Sequence, residues 1–170
     1  MTGTRQVRQR PRRPGGFTLI EAALVTCIIG FGVVSMLQLL AAGTMSNVQA
    51  NELTTGLTLA NNIREVTQNL AFCDPINPLD WGPEDGETLA TYNDVDDFDK
   101  AVFSPPIDAR RKSLSTFTGW TQSVVVQSVD PNRLTLTVPA GTTPMNKVTV
   151  TVTHKGKPVC TLSWIVVKAT

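Results

Sequence analysis

The chain is poor in the groups from which most enzymes build their chemistry. Its 170 residues include one histidine, His154, and three cysteines, Cys27, Cys73 and Cys160. The cysteines are far apart, so no pair stands at zinc spacing. No glycine-rich phosphate loop occurs, and no nucleophile motif sets a serine beside a base. Enzymatic chemistry is therefore not expected. The lone histidine, near a hairpin end, reads as an exposed turn residue. Three further absences are local. No proline falls between Pro14 and Pro75, no charged residue between Glu21 and Glu52, and no basic residue between Asp74 and Asp99.

The first of these gaps leaves a long stretch free to be helical. The second makes that stretch apolar. Ala22 to Ala42 is 21 residues, about 30 Å as a helix, which matches the hydrocarbon thickness of a bilayer. Its polar members Thr26, Ser35 and Gln38 are uncharged, and Gly30 and Gly32 suit close packing between membrane helices. Ahead of it, Arg5, Arg8, Arg10, Arg12 and Arg13 form a leader with no acid. That leader is expected on the cytoplasmic side, with the rest of the chain across the membrane. Formal net charge is +1 overall; without those five arginines, 10 basic and 14 acidic side chains remain, a net of −4. The positive charge thus lies in the leader, and a general basic surface for nucleic acid is not expected.

Between leader and apolar run lies Gly15-Gly16-Phe17-Thr18-Leu19-Ile20-Glu21. A secretory signal has its cleavage site after the apolar region, whereas here the small residues precede it. Glu21, at the end of a membrane-length segment, invites a functional reading because a carboxylate is expensive in hydrocarbon. Gly16 to Glu21 resembles the prepilin signature of type IV pilins and type II secretion pseudopilins. The resemblance implies cleavage after Gly16 by a prepilin peptidase, which then methylates the new amine on Phe17. It implies that Glu21 pairs with the terminal amine of a neighbouring subunit during assembly. The partners it implies are that peptidase and methyltransferase, other pilins or pseudopilins, and the assembly platform of the filament machine. It places the chain as a single-pass protein of a bacterial inner membrane with a periplasmic C-terminal domain. The missing helix proline is more like minor pilins and minor pseudopilins than type IVa major pilins. Leu59-Ala60-Asn61-Asn62-Ile63-Arg64-Glu65 is similar to the post-membrane helix of pilus-modification minor pilins and of minor pseudopilin I.

Beyond the apolar run the helix is expected to continue. Leu53, Leu57, Ala60, Ile63, Val66 and Leu70 recur at spacings of four and three, marking one apolar face. Asp74-Pro75 should stop it. Residues 120–129, 133–138, 147–154 and 159–167 alternate or run apolar as strands, with turns at Asp130-Pro131-Asn132 and Lys155-Gly156-Lys157. The expected fold is α+β: a long N-terminal helix packed on a roughly four-stranded antiparallel meander, the plan of a pilin. The expected divisions are a cleaved leader (1–16), an assembly helix (17–46), an amphipathic helix (47–72), an irregular acidic region (73–118) and a sheet (119–170).

Two site expectations remain. In an exported domain Cys73 can pair with Cys160, worth roughly 4 kcal/mol in the chain-entropy model; the other reading is two buried free thiols. The nine acids from Asp74 to Asp99 are densest at Asp94, Asp96, Asp97 and Asp99. These four are a weak calcium candidate, because clustered carboxylates suit that ion. The spacing is not an EF-hand, and the alternative is a solvated acidic loop. No other cofactor is expected. A membrane-tethered module binding calcium or a secreted substrate, and a DNA-uptake minor pilin using Arg110-Arg111-Lys112, are the rival functions.

Overall fold

The computed structural model describes residues 15–169, so the leader arginines lie outside the described residues. The chain divides into two compact units, Met1–Ser46 and Asn47–Thr170. The fold is α+β, with one long helix and an antiparallel sheet of five strands.

Helix α1 spans Leu19–Gln68. The part in the first unit carries the apolar run. There every described residue is exposed, and among the described residues this is the one helix long and apolar enough to cross a membrane. Its hydroxyls are satisfied within the helix. Thr26 donates to the Ala22 carbonyl at 2.8 Å, Ser35 to Phe31 at 2.8 Å and Thr44 to Leu40 at 2.9 Å. Such back-bonding removes the cost of a bare hydroxyl in an apolar setting.

In the second unit the later turns of α1 supply one side of the core. Gly56, Leu59, Ala60, Ile63, Val66 and Thr67 are buried, whereas Leu53 and Leu57 remain 47% and 39% exposed. The apolar stripe is therefore rotated from the expected one: Gly56 and Leu59 face the sheet in place of Leu53 and Leu57. Gly56 shows why. A Cβ there would lie 3.0 Å from Val159 Cγ1 and 3.1 Å from Cys160 Sγ. A side chain at this point would require Val159 and Cys160 to give way. The helix ends at Gln68, before Asp74-Pro75. The chain then turns into a parallel bridge between Ala71 and Asp94, where the Val95 N–H donates to the Ala71 carbonyl at 3.0 Å.

The strands are β1 (Val102–Phe103), β2 (Trp120–Asp130), β3 (Arg133–Thr137), β4 (Met145–His154) and β5 (Lys157–Val167). The sheet order is β1-β2-β4-β5, with β3 attached only to β2. This corrects the expected meander. Strand β2 pairs along its length with β4, from Trp120 opposite His154 to Ser128 opposite Asn146. Strand β3 is an exposed arm held at Val129–Thr137 and Asp130–Arg133 around a bulge. The β4–β5 turn has Lys155 at φ 51° and Gly156 at φ 75°, the two left-handed residues that a tight twisted hairpin needs. Alternate residues Val124, Val126, Val148, Val150 and Val152 point to the helix and close the core with Leu59, Ala60, Ile63 and Val66. Gln122 lies among them, fully buried. Its Nε2 donates to the Leu59 carbonyl at 2.8 Å and its Oε1 accepts from the Ile107 N–H at 2.7 Å.

The expected Cys73–Cys160 disulfide is not formed; both thiols are free. The sheet register explains it. Cys160 pairs with Val152 near one end of β4, while Cys73 lines a cavity with Asn146 at the other end. Six strand residues separate these positions, about 20 Å, whereas a disulfide needs Cα atoms within about 7 Å.

Candidate functional site

Two places carry the residues singled out by the sequence. The first is the start of α1. Gly16 and Phe17 lie exposed in irregular backbone, with Phe17 78% exposed, and regular helix begins at Leu19. Thr18 caps it: its Oγ1 accepts from the Glu21 N–H at 3.3 Å. Threonine three residues ahead of a glutamate is a helix-start pattern, which gives this stretch a local structural role too. Glu21 is exposed in the first turn of the helix, where the positive end of the helix dipole favours a carboxylate. Among the described residues no cation pairs with it.

The second place is the acidic region. Asp80 and Asp85 are exposed, but the densest part is not a solvated loop. Asp94, Asp96 and Asp97 are buried, at 1%, 2% and 0% exposure. Asp94 and Asp97 cap one another. Asp94 Oδ1 accepts from the N–H groups of Asp96 at 2.9 Å and Asp97 at 3.2 Å. Asp97 Oδ2 accepts from those of Asn93 at 2.8 Å and Asp94 at 3.1 Å. This reciprocal arrangement fixes a single 3₁₀ turn at Asp96–Phe98. Asp99 faces elsewhere: its Oδ1 accepts from the Val126 N–H of β2 at 3.0 Å, and its Oδ2 from Trp81 Nε1 at 3.3 Å. Asp74 accepts from the Ile76 and Asn77 N–H groups, and these bonds hold its carboxyl below the usual range. The residues lack a ladder of their own, so carboxylates take up the backbone donors.

Burial of these carboxyls has a cost in charge. Desolvation, followed by the hydrogen bond shared with Asp96, pushes Asp94 up to about 7. Desolvation likewise raises Asp96, and raises Asp97 to about 6. Glu84 is pushed to about 7, first by its hydrogen bond with Glu87.

A scan of protein-family models, a search of curated proteins and a search of solved structures found no match to this chain. The site is therefore read from its own geometry.

The expected calcium set is corrected by that geometry. Asp94, Asp96, Asp97 and Asp99 do not converge on one point. The carboxylates that do meet are Glu84, Glu87 and Asp97, each offering an oxygen within 4.8 Å of the others. Only Asp97 was in the expected set. The two glutamates come from the preceding loop, and no spacing in the sequence pointed to them.

Of the basic cluster, Arg110 and Lys112 are exposed, while Arg111 is engaged. Arg111 Nη1 donates to the carbonyls of Leu89 at 3.0 Å and Tyr92 at 2.8 Å, so it straps the acidic loop through its backbone. His154 is not an exposed turn residue either. It stacks on Trp120, ring centroids 4.4 Å apart and 10° from parallel, and its Nδ1 lies 2.9 Å from Glu52 Oε1 on α1. Trp120 is buried in the core and Trp81 packs against its margin.

Proposed function

We propose that this chain is a minor pilin or pseudopilin: a structural subunit, made as a single-pass membrane precursor, of a type IV pilus-like or type II secretion filament. The observation that carries the reading is Gly16-Phe17 exposed in irregular backbone immediately ahead of a capped apolar helix that holds Glu21 in its first turn. That geometry supports processing, since a peptidase needs an extended, accessible peptide. It also supports assembly. The exposed apolar residues of α1 from Leu19 to Leu40 have no covering partner among the described residues, and a bundle of like helices supplies one. In that bundle Glu21 would leave an aqueous rim for a less polar one. The positive amine of a processed neighbour then offsets the cost of its desolvation. The chain acts as a subunit and a substrate of the processing peptidase, with its C-terminal domain in the periplasm.

Intact-mass and N-terminal peptide spectrometry of the protein from its own membranes tests this. The expected product begins at methylated Phe17. A chain retaining residues 1–16 would overturn the reading and leave a plain membrane anchor. Replacing Gly16 by a bulky residue is expected to block cleavage and leave the chain at full precursor length; a mature chain of unchanged mass would count against it.

A further inference from the structure

We propose that the free edge of β5 is an interface between two copies of this chain, which pair β5 against β5 in antiparallel and join their sheets. The ladder on the other side of β5 defines that edge. Strand β5 ends the sheet, and among the described residues no strand lies beyond it. Its residues 160–167 pair with β4 without interruption, from Cys160 opposite Val152 to Val167 opposite Met145. One step further, the Lys168 N–H donates to the Pro144 carbonyl at 2.9 Å, so that pair is of the hydrogen-bonded kind. Such pairs alternate along an antiparallel ladder. Val166, Trp164, Leu162 and Cys160 therefore turn their backbone groups toward β4. Val167, Ile165, Ser163 and Thr161 turn theirs outward, and among the described residues no hydrogen bond uses them. Proteins blunt a long edge with charge, proline or a bulge. Here all three crowd the start of the strand: Lys157, Pro158 and the register shift opposite Val152 and Thr153. Residues 159–167 carry no charge and no proline, and Thr161, Ser163 and Val167 are exposed.

The occupant follows from self-complementarity. One antiparallel register matches all four outward residues with each other. Thr161 then stands opposite Val167 of the second copy and Ser163 opposite its Ile165, with the reciprocal two pairs, and each pair exchanges two bonds. The two-fold axis passes through Trp164, which meets its own copy at a non-hydrogen-bonded position, where side chains come closest. An aromatic pair there adds to the strand pairing. Among the described residues the Trp164 indole N–H is the one buried side-chain donor without an acceptor, so the centre of the pair falls where a single copy leaves a donor unused. No like charges are opposed: Lys168 falls opposite Cys160, and Lys157 lies outside the paired stretch. One surface pairing with itself is an isologous contact, which closes at two copies. The interface lies wholly within the second unit and does not depend on the filament reading, which the N-terminal mass tests separately.

The test is sedimentation equilibrium and cysteine cross-linking of the full chain in a nonionic detergent. A concentration-dependent dimer is expected. Ile165→Pro removes one outward N–H and no bond to β4, a change that an edge strand tolerates. It should weaken the dimer at least tenfold and leave Tm close to wild type. For cross-linking, Ser163→Cys and Ile165→Cys are each placed in a chain carrying Cys27→Ala, Cys73→Ala and Cys160→Ala. In the proposed register the two new thiols stand opposite, with Cα atoms about 5.5 Å apart, within reach of a disulfide. A mixture of the two variants should cross-link under mild oxidation. Either variant alone should not, because its copies meet diagonally at roughly 7–8 Å. A monomer at every concentration overturns the proposal. A dimer untouched by Ile165→Pro overturns it by assigning association to the apolar helix. Cross-linking of either variant alone as strong as that of the mixture also overturns it. If Ile165→Pro melts early, cross-linking specific to the mixture sustains the interface and its absence overturns it.

Discussion

Replacing Gly56 by alanine sets two effects of comparable size against each other. Alanine gains about 1 kcal/mol over glycine inside a helix. Against it stands the close approach of β5. Carbon atoms in contact rest about 3.5–4.0 Å apart, and the new methyl would begin 3.0 Å from Val159 Cγ1 and 3.1 Å from Cys160 Sγ. These side chains or the strand that carries them must therefore give by about half an ångström, and overpacking of this kind costs about 1–3 kcal/mol. The net expectation is a loss of about 0–2 kcal/mol. In a background carrying Val159→Ala and Cys160→Ala both obstructing atoms are gone. The same Gly56→Ala change should then stabilise by about 1 kcal/mol. Urea unfolding followed by tryptophan fluorescence reads this directly, because Trp81, Trp120 and Trp164 all belong to the unit Asn47–Thr170. An equal gain in both backgrounds would refute the close contact and make Gly56 an ordinary helix glycine.

Gln122→Leu keeps the volume but strips partners from the Ile107 N–H and carbonyl and from the Leu59 carbonyl; a loss of about 2–4 kcal/mol in urea unfolding is expected, and a change below about 0.5 would show that these groups find other partners. Glu21→Ala should leave cleavage intact and reduce recovery in sheared filaments or cross-linked subunit ladders; normal incorporation would sink the proposed pairing. Alkylation under denaturing, non-reducing conditions should mark both Cys73 and Cys160, since neither is bridged. In the folded chain burial raises the Cys160 thiol above its ordinary value of 9.0. Its alkylation should therefore reach half its limiting rate at a pH above 9, and a profile centred at or below that value would contradict its burial.

The helix, the four longer strands and the turns at Asp130 and Lys155 were legible because each follows from local pattern, whereas the two-residue β1 lay inside the region expected to be irregular. What was not legible depends on choices that local pattern leaves open. Leu53-Leu57 and Gly56-Leu59 both repeat at helical spacing, and hydrophobicity favours the leucines. The close approach of β5 selects the stripe containing glycine, and nothing near Gly56 in sequence announces it. Strand order was missed for a similar reason. The Asp130 turn joins β2 to β3, yet Val124 and Val126 find the valines of β4 opposite them, and that longer pairing wins. The aspartates misled by composition: a charge run reads as solvated, whereas Asp94 and Asp97, three residues apart, form a capping pattern that was present to be read. Glu84 and Glu87 could not have been paired with Asp97 without the fold of the intervening loop.

The acidic region has a consequence for substitution. Its shape is written in side-chain reach, because carboxylate oxygens hold N–H groups that a sheet ladder would otherwise hold. Glutamate at position 94, 97 or 99 would preserve every charge and still carry its oxygens past their donors by one methylene. Asparagine would drop the charge while keeping an acceptor oxygen at the same length. Along this loop the chemically mild exchange is the one that alters charge, and the charge-preserving exchange is the disruptive one.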